Sequence, residues 1–131
     1  MKSLLKSIYI IAFFTIISCK KESDKSGIKL TDSDSGKTVA IVKGEAVYIT
    51  LSNPGDGGYQ FNNPKYDSSI LTLNSHTHKS PTNTNLTGDF GKDTWMFTSL
   101  STGTTNVVIS ASRTGSVRDT IALFTILINV K

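Results

Sequence analysis

The sequence predicts an all-β domain, an immunoglobulin-like β-sandwich of about seven strands. Beyond the first 18 residues, short β-branched runs place an apolar residue at every second position. Clusters of Gly, Pro, Asn and Ser separate these runs, and no 3.6-residue periodicity is present. Strands that each bury one face belong in two packed sheets, and their shortness and turn spacing favour a sandwich over a barrel.

The first two predicted strands show the alternation most clearly. Their apolar positions are Val39 and Ile41, then Val47, Ile49 and Leu51. Lys43-Gly44 forms the turn between them. The second strand ends at 53–58, a segment rich in glycine with one proline, because these residues favour turns and interrupt ladders.

Five further runs complete the predicted sandwich. They are marked by Tyr59 and Phe61; by Ile70, Leu71 and Leu73; by Trp95 and Phe97; by Val107, Ile109 and Ala111; and by Phe124, Ile126, Ile128 and Val130. The segment from Asn74 to Gly88 is predicted to be a long polar loop. A turn at 101–103 precedes the strand that begins near Val107.

The N-terminal residues are organised differently. Lys2 and Lys6 form a basic region, and Ile8 to Ile17 is apolar but well short of the roughly 20 residues that span a bilayer. This composition predicts a secretory signal over residues 1–18. The last three residues of this signal and the next residue, Ile16-Ile17-Ser18-Cys19, resemble the bacterial lipobox, whose cysteine receives a diacylglycerol before cleavage. In the alternative, an ordinary secreted protein is cleaved near Ser18 and Cys19 is an unmodified thiol.

The lipobox implies a bacterial lipoprotein anchored to the membrane of the cell envelope through lipid on Cys19. Residues 19–27 are then the lipidated N-terminus and a polar, flexible tether, and residues 28–131 are the folded domain. Lys20 stands where an aspartate would mean inner-membrane retention in enterobacterial lipoproteins, so the outer membrane is expected. Cys19 is the only cysteine, which excludes an intrachain disulfide.

Charge and composition exclude several function classes. The chain has 14 basic and 10 acidic residues; without Lys2 and Lys6 the count is 12 and 10, so the net charge falls from +4 to +2. The basic residues form no stripe interleaved with aromatic residues, so nucleic-acid binding is not expected. We expect a monomer with one modest core and no cofactor.

No pattern of residues predicts an enzyme or a metal site. His76 and His78 would share one face of an extended segment and form a possible metal pair, but a third ligand is not evident. Their polar surroundings favour solvated side chains in a loop. There is no obvious catalytic pair among Asp56, Asp67, Asp89, Asp93 and Asp119, and most of these aspartates fall at predicted turns.

Three loops lie at set distances from the predicted strands. The first is Asn53-Pro54-Gly55-Asp56-Gly57-Gly58-Tyr59, followed by Gln60-Phe61; the second is Gly88-Asp89-Phe90-Gly91; the third is Arg113-Thr114-Gly115. In order and spacing they resemble the loops of the chagasin-type inhibitors of papain-like cysteine peptidases. Each loop departs from the family pattern: Gly-Asp-Gly replaces Thr-Thr, Phe90 replaces a glycine, and Thr114-Gly115 replaces Pro-Trp.

The resemblance implies a sandwich whose three loops enter the active-site cleft of a papain-like peptidase. The first loop would lie over the catalytic cysteine and histidine, with the second on one side and Arg113 on the other. Alternatives remain for each part, since Asn-Pro and Gly-Gly also suit a plain hairpin turn and Arg113 also suits a solvated strand end. A non-inhibitory surface interaction or adhesion module, with drifted loops, is the alternative function.

Overall fold

The computed structural model describes residues 27–83, 85, 87–113 and 119–131. They form eight strands: β1 (Ile28–Thr31), β2 (Thr38–Ile41), β3 (Ala46–Ser52), β4 (Tyr59–Phe61), β5 (Leu71–Lys79), β6 (Lys92–Ser99), β7 (Gly103–Arg113) and β8 (Thr120–Val130). Short 3₁₀ turns occur at Asp32–Asp34 and Pro54–Gly57. Within these ranges no helix has the length and apolar character needed to span a membrane. The predicted signal sequence and Cys19 lie outside the described residues.

The strands form two four-stranded sheets, in the orders β1-β3-β6-β5 and β2-β8-β7-β4. β1 runs parallel to β3 and β2 parallel to β8, whereas the other pairs are antiparallel. The predicted all-β sandwich is therefore confirmed. The strand not predicted is β1, a four-residue edge strand, which forms by pairing with Val47 to Thr50 of β3.

The core fills the space between the sheets with the residues that alternate inward. The largest fully buried side chains are Trp95, Phe97, Phe124, Ile49, Leu51, Leu71, Ile109, Ile126, Ile128, Val47 and Val107. Burying a side chain of this size contributes about 1.5–3 kcal/mol. Edge-to-face contacts of Phe61 with Trp95 and of Tyr66 with Phe97 add directional packing, with ring centroids 4.7 and 5.1 Å apart.

The prediction of a polar loop from Asn74 is wrong over its first residues. β5 continues to Lys79 because β6 pairs with it along that whole stretch. A bulge between Leu73 and Ser75 shifts the register by one residue. Since side chains alternate across a strand, the shift moves His76 and His78 to the face that carries Leu73 before the bulge.

The sandwich has two ends with different roles. At one end, which we call the loop pole, three strands finish (β3, β5 and β7) and three strands start (β4, β6 and β8). The residue pairs at this pole include Ser52 with Lys92 and Tyr59 with Arg113. At the opposite pole β3 begins and β6 ends. Because β1 runs parallel to β3 and Ile28 pairs with Val47, the chain enters the domain at the opposite pole.

Candidate functional site

The first predicted loop is a compact 3₁₀ turn held by its own residues. The Asn53 side chain accepts a hydrogen bond of 2.9 Å from the Gly55 N–H, and Pro54 occupies the first position of the turn. Gly58 ends it in the left-handed region, at φ +73°, and donates its N–H to the Gly55 carbonyl at 2.9 Å. Cap, proline and glycine therefore fix the turn locally.

The second predicted loop packs directly on the first. The Asn53 N–H donates to the Gly91 carbonyl at 2.9 Å. The Phe90 ring covers Gly55 so closely that a Cβ at residue 55 would lie 2.7 Å from it, which explains why a glycine stands there. Phe90 is nonetheless 46% exposed, so its outer face is available to a partner.

Gly91 anchors the second loop to the end of β5. Its φ is +83°, and a Cβ at this position would overlap the Lys79 carbonyl oxygen. The Asp89 carboxylate accepts a hydrogen bond of 2.8 Å from the Gly91 N–H. Behind this loop lies an open cavity of about 290 Å³, lined by Lys79, Ser80, Pro81, Thr82, Asp89, Gly91 and Lys92.

Arg113 joins the third position to the first loop. Its Nε donates to the Gly57 carbonyl at 3.3 Å, and its guanidinium lies 5.0 Å from the centroid of the Tyr59 ring. Its Nη1 is 3.9 Å from a carboxylate oxygen of Asp119. The structure thus brings the described positions of all three loops together. Thr114 and Gly115 lie outside the described residues.

A polar cluster centred on the buried Asp93 lies beneath the first loop. This residue is in phase with Trp95 on β6 and only 4% exposed. Its Oδ1 accepts from His76 Nε2 at 2.8 Å, and its Oδ2 accepts from His78 Nδ1 at 3.0 Å and from Asn53 Nδ2 at 2.7 Å. Burial pushes the pKa of Asp93 upward, but these three hydrogen bonds outweigh burial and hold the pKa below its usual value.

The two histidines were predicted to be solvated side chains in a loop. The loop is wrong, because both residues lie on β5, but their side chains are 42% and 45% exposed. They do share one face of an extended segment, but both contact Asp93, and His76 also stacks on Trp95 with 4.4 Å between ring centroids. Among the described residues, no three or more His, Cys, Asp or Glu side chains are arranged to hold a metal ion. The one sequence signal of the cluster is that Asp93 is in phase with Trp95, because the bulge that aligns the histidines with Asp93 has no signature in the local alternation.

Several solved structures share this fold. The cysteine protease inhibitor EhICP2 from Entamoeba histolytica superimposes with a TM-score of 0.66 at 19% identity, over 79% of this chain and 95% of that protein. Amebosin gives 0.63 at 22% identity, over 80% and 98% of the two chains. PbICP-C, solved in complex with falcipain-2, gives 0.57 at 14% identity, over 80% and 100%.

Of two sequence comparisons, the one with family profiles agrees with this structural likeness. No curated protein matches the chain significantly. A family profile described as chagasin family peptidase inhibitor I42 matches residues 40–128, which extend from β2 to β8 and include all three loops. The resemblance inferred from the loops is thereby confirmed, and the family it identifies consists of peptidase inhibitors rather than enzymes. The chain belongs to the chagasin family of peptidase inhibitors.

Proposed function

We propose that this protein inhibits papain-like cysteine peptidases by inserting its loop pole into the active-site cleft. The observation that carries the proposal is the mutual contact of the three loops: Phe90 lies on Gly55, and Arg113 donates to Gly57. Together, the backbone of the first loop, the Phe90 ring and the Arg113 guanidinium form one continuous surface. The family to which this chain belongs, together with the shared fold of PbICP-C, solved in complex with falcipain-2, supports a cysteine peptidase as the partner.

The first loop has the properties of an element that blocks a cleft without being cut. Pro54–Gly57 is helical rather than extended, so its peptide bonds do not present themselves as a substrate strand would. Three glycines remove the Cβ atoms that would hold the turn away from a partner's backbone. The cap formed by Asn53 opposes the unwinding that cleavage would require.

The second and third loops supply the side chains of the binding surface. Phe90 is an exposed aromatic residue backed by the first loop, the arrangement typical of an interface anchor. It compensates for the tryptophan that the family carries in the third loop and this chain lacks. Arg113, 5.0 Å above Tyr59, presents a charge whose position is already restricted before binding.

We also propose that the domain is tethered to a bacterial membrane through lipid on Cys19, with the loops directed away from the bilayer. The direction of β1 supports this orientation, because Ile28 lies at the opposite pole beside Val47. β3 covers the distance from that end to the loops, roughly 20 Å at about 3.3 Å per residue. A membrane below the opposite pole leaves the loop pole accessible to a peptidase.

The alternative of a non-inhibitory interaction or adhesion module is less well supported. The family profile covers all three loops, and the loops contact one another rather than scattering over the surface. Both observations favour an inhibitory surface despite the altered loop sequences.

Titration of papain with soluble protein that begins after Cys19 tests inhibition, since this form retains all eight strands. We expect inhibition in the nanomolar to micromolar range. Phe90→Ala should weaken inhibition about 30-fold or more, the usual effect of removing an interface anchor. Leu100→Ala is the matched control, because Leu100 is an equally exposed apolar residue beside Ser99 at the opposite pole, and it should leave inhibition unchanged. Absence of inhibition across a panel of papain-like enzymes would refute the proposal.

The lipid anchor is tested separately by expressing the full chain in bacteria supplied with labelled palmitate. The wild-type protein should incorporate the label and sediment with membranes. Cys19→Ser should do neither, and retention of label in that variant contradicts the proposed attachment site.

A further inference from the structure

We propose that Asp93, held by His76 and His78, is a positioning residue that sets the conformation of the first loop through Asn53. The effect on inhibition rests on the proposed function, whereas the effect on the loop does not. The cluster consists of His76, His78, Asp93 and Asn53. It links the edge strand β5, the inner face of β6 and the residue that caps the 3₁₀ turn.

The orientation of the Asn53 amide is the first step. An ionised carboxylate only accepts hydrogen bonds, so Asp93 requires the Nδ2 of Asn53 to point toward it. The amide oxygen is then directed to the Gly55 N–H, where it accepts the bond that caps the turn. With the amide reversed, oxygen would face carboxylate and the cap would be lost. Asp93 thereby selects the capping orientation.

The two histidines fix the carboxylate itself. His76 Nε2 and His78 Nδ1 donate to different oxygens of Asp93, so the carboxylate has a donor on each side. His76 is further restrained by its parallel stacking on the buried Trp95, with 9° between the ring planes. A buried carboxylate with partners of this kind cannot rotate without losing a charge-assisted hydrogen bond.

A loop that is ordered before binding has a smaller entropic cost of association. Removing the Asp93 carboxylate should therefore weaken inhibition although Asp93 is 4% exposed and Asn53 separates it from the turn. This is the behaviour of a positioning residue rather than of a contact with the peptidase.

Asp93→Asn tests the loop directly. The new amide is neutral and has one carbonyl oxygen in place of two acceptor oxygens, so at most two of the three donors keep an acceptor and any bond from Asn53 loses its charge assistance. In the soluble protein, amide hydrogen exchange at Gly55 and Gly58, followed by NMR, should become about tenfold faster or more, as expected for loss of a hydrogen bond to a charged group. Thr77→Val, between the two histidines but on the other face of β5, is the matched control and should leave both rates unchanged. Unchanged exchange in Asp93→Asn overturns the proposal.

A rescue variant separates positioning from a general loss of stability. In the double variant Asn53→Asp/Asp93→Asn, the carboxylate at residue 53 accepts from both the Gly55 N–H and the new amide at residue 93. Slow exchange at Gly55 should return at least in part. A double variant that exchanges faster than Asp93→Asn alone contradicts the positioning role.

Papain titration of the same variants distinguishes this inference from the proposed function. We expect about tenfold weaker inhibition by Asp93→Asn, with recovery in the double variant. If wild-type protein fails to inhibit, the proposed function falls and the exchange rates still decide the inference. If wild-type and Asp93→Asn inhibit equally well, the link from Asp93 to inhibition is refuted while the proposed function stands.

Discussion

The inner face of β6 passes through two regions of different chemistry. Phe97 and Trp95 are fully buried in the middle of the sandwich, among apolar side chains and aromatic edges. Asp93, two residues nearer the loop pole, is almost as buried but is surrounded by two imidazoles and an amide. Burial alone therefore does not describe the core of this protein.

The difference lies in the kind of interaction. Packing in the body of the sandwich is non-directional and depends on volume, so a defect there affects every strand that shares the core. Hydrogen bonds at the loop pole are directional and hold a few atoms at set angles. We expect changes in the body to reduce overall stability, and changes at the loop pole to alter the loops first.

The largest effect on the free energy of unfolding should come from a change in the apolar core in the middle of the sandwich. Phe97→Ala removes a fully buried ring that also meets Tyr66, and should lower the free energy of unfolding by about 3–5 kcal/mol. Chemical denaturation measures the change. Asn106→Ala, on an exposed position of β7, serves as the control and should stay within about 0.5 kcal/mol. A loss below about 1 kcal/mol for Phe97→Ala would mean that the sheets are not held by this packing.

The next effect should come from the backbone of the loop pole. Gly91 and Gly36 both adopt φ +83°, but a Cβ at residue 91 overlaps the Lys79 carbonyl, whereas at residue 36 it has nothing within 4 Å. Alanine at either position has the backbone strain, about 1–3 kcal/mol. Gly91→Ala should cost a further ~1–3 kcal/mol from overpacking. Equal losses in the two variants would show that the second loop moves freely away from β5.

A smaller effect should appear in the pH dependence of stability. Because the pKa of Asp93 is lowered in the folded protein, its contribution is complete above the unfolded value of about 3.9 and is lost as pH falls through the folded pKa. Denaturant unfolding of wild type and Asp93→Asn should therefore differ at pH 7, and the difference should shrink as pH falls below about 3.9. Asp34 and Asp67, whose pKa values are also lowered, occur in both proteins and cancel. A difference independent of pH contradicts an ionised Asp93 in the cluster.

Prediction from sequence worked in the body because alternation is the physical consequence of a strand with one buried face. Phe124, Ile126, Ile128 and Val130 were placed on one face of a strand, and all are buried in β8. The short β1 was missed because its four residues contain too few alternations to be distinguished from the polar sequence that precedes them.

At the loop pole, the sequence could identify the loops but not the contacts that hold them. The sequence alone identifies Asn53, Pro54 and Gly58 as residues that favour a turn. The alignment of His76 and His78 with Asp93 depends on a bulge whose position is set by tertiary pairing with β6. A polar residue in phase with Trp95 was the one available signal, and a turn was the simpler interpretation of Asp93.

Arg113 should give the smallest effect on stability and so sets the lower end of the comparison. Its guanidinium is exposed, and an exposed cation-π contact together with a long ion pair contributes about 1 kcal/mol or less. Arg113→Ala should lower the free energy of unfolding by that amount, and Arg113→Lys by less, because lysine keeps the charge but not the planar group over Tyr59. Denaturation of the two variants beside Gly91→Ala provides the measurement. If Arg113→Ala costs more than Gly91→Ala, the loop pole is held by an exposed charge at its rim, and the directional contacts inside it are secondary.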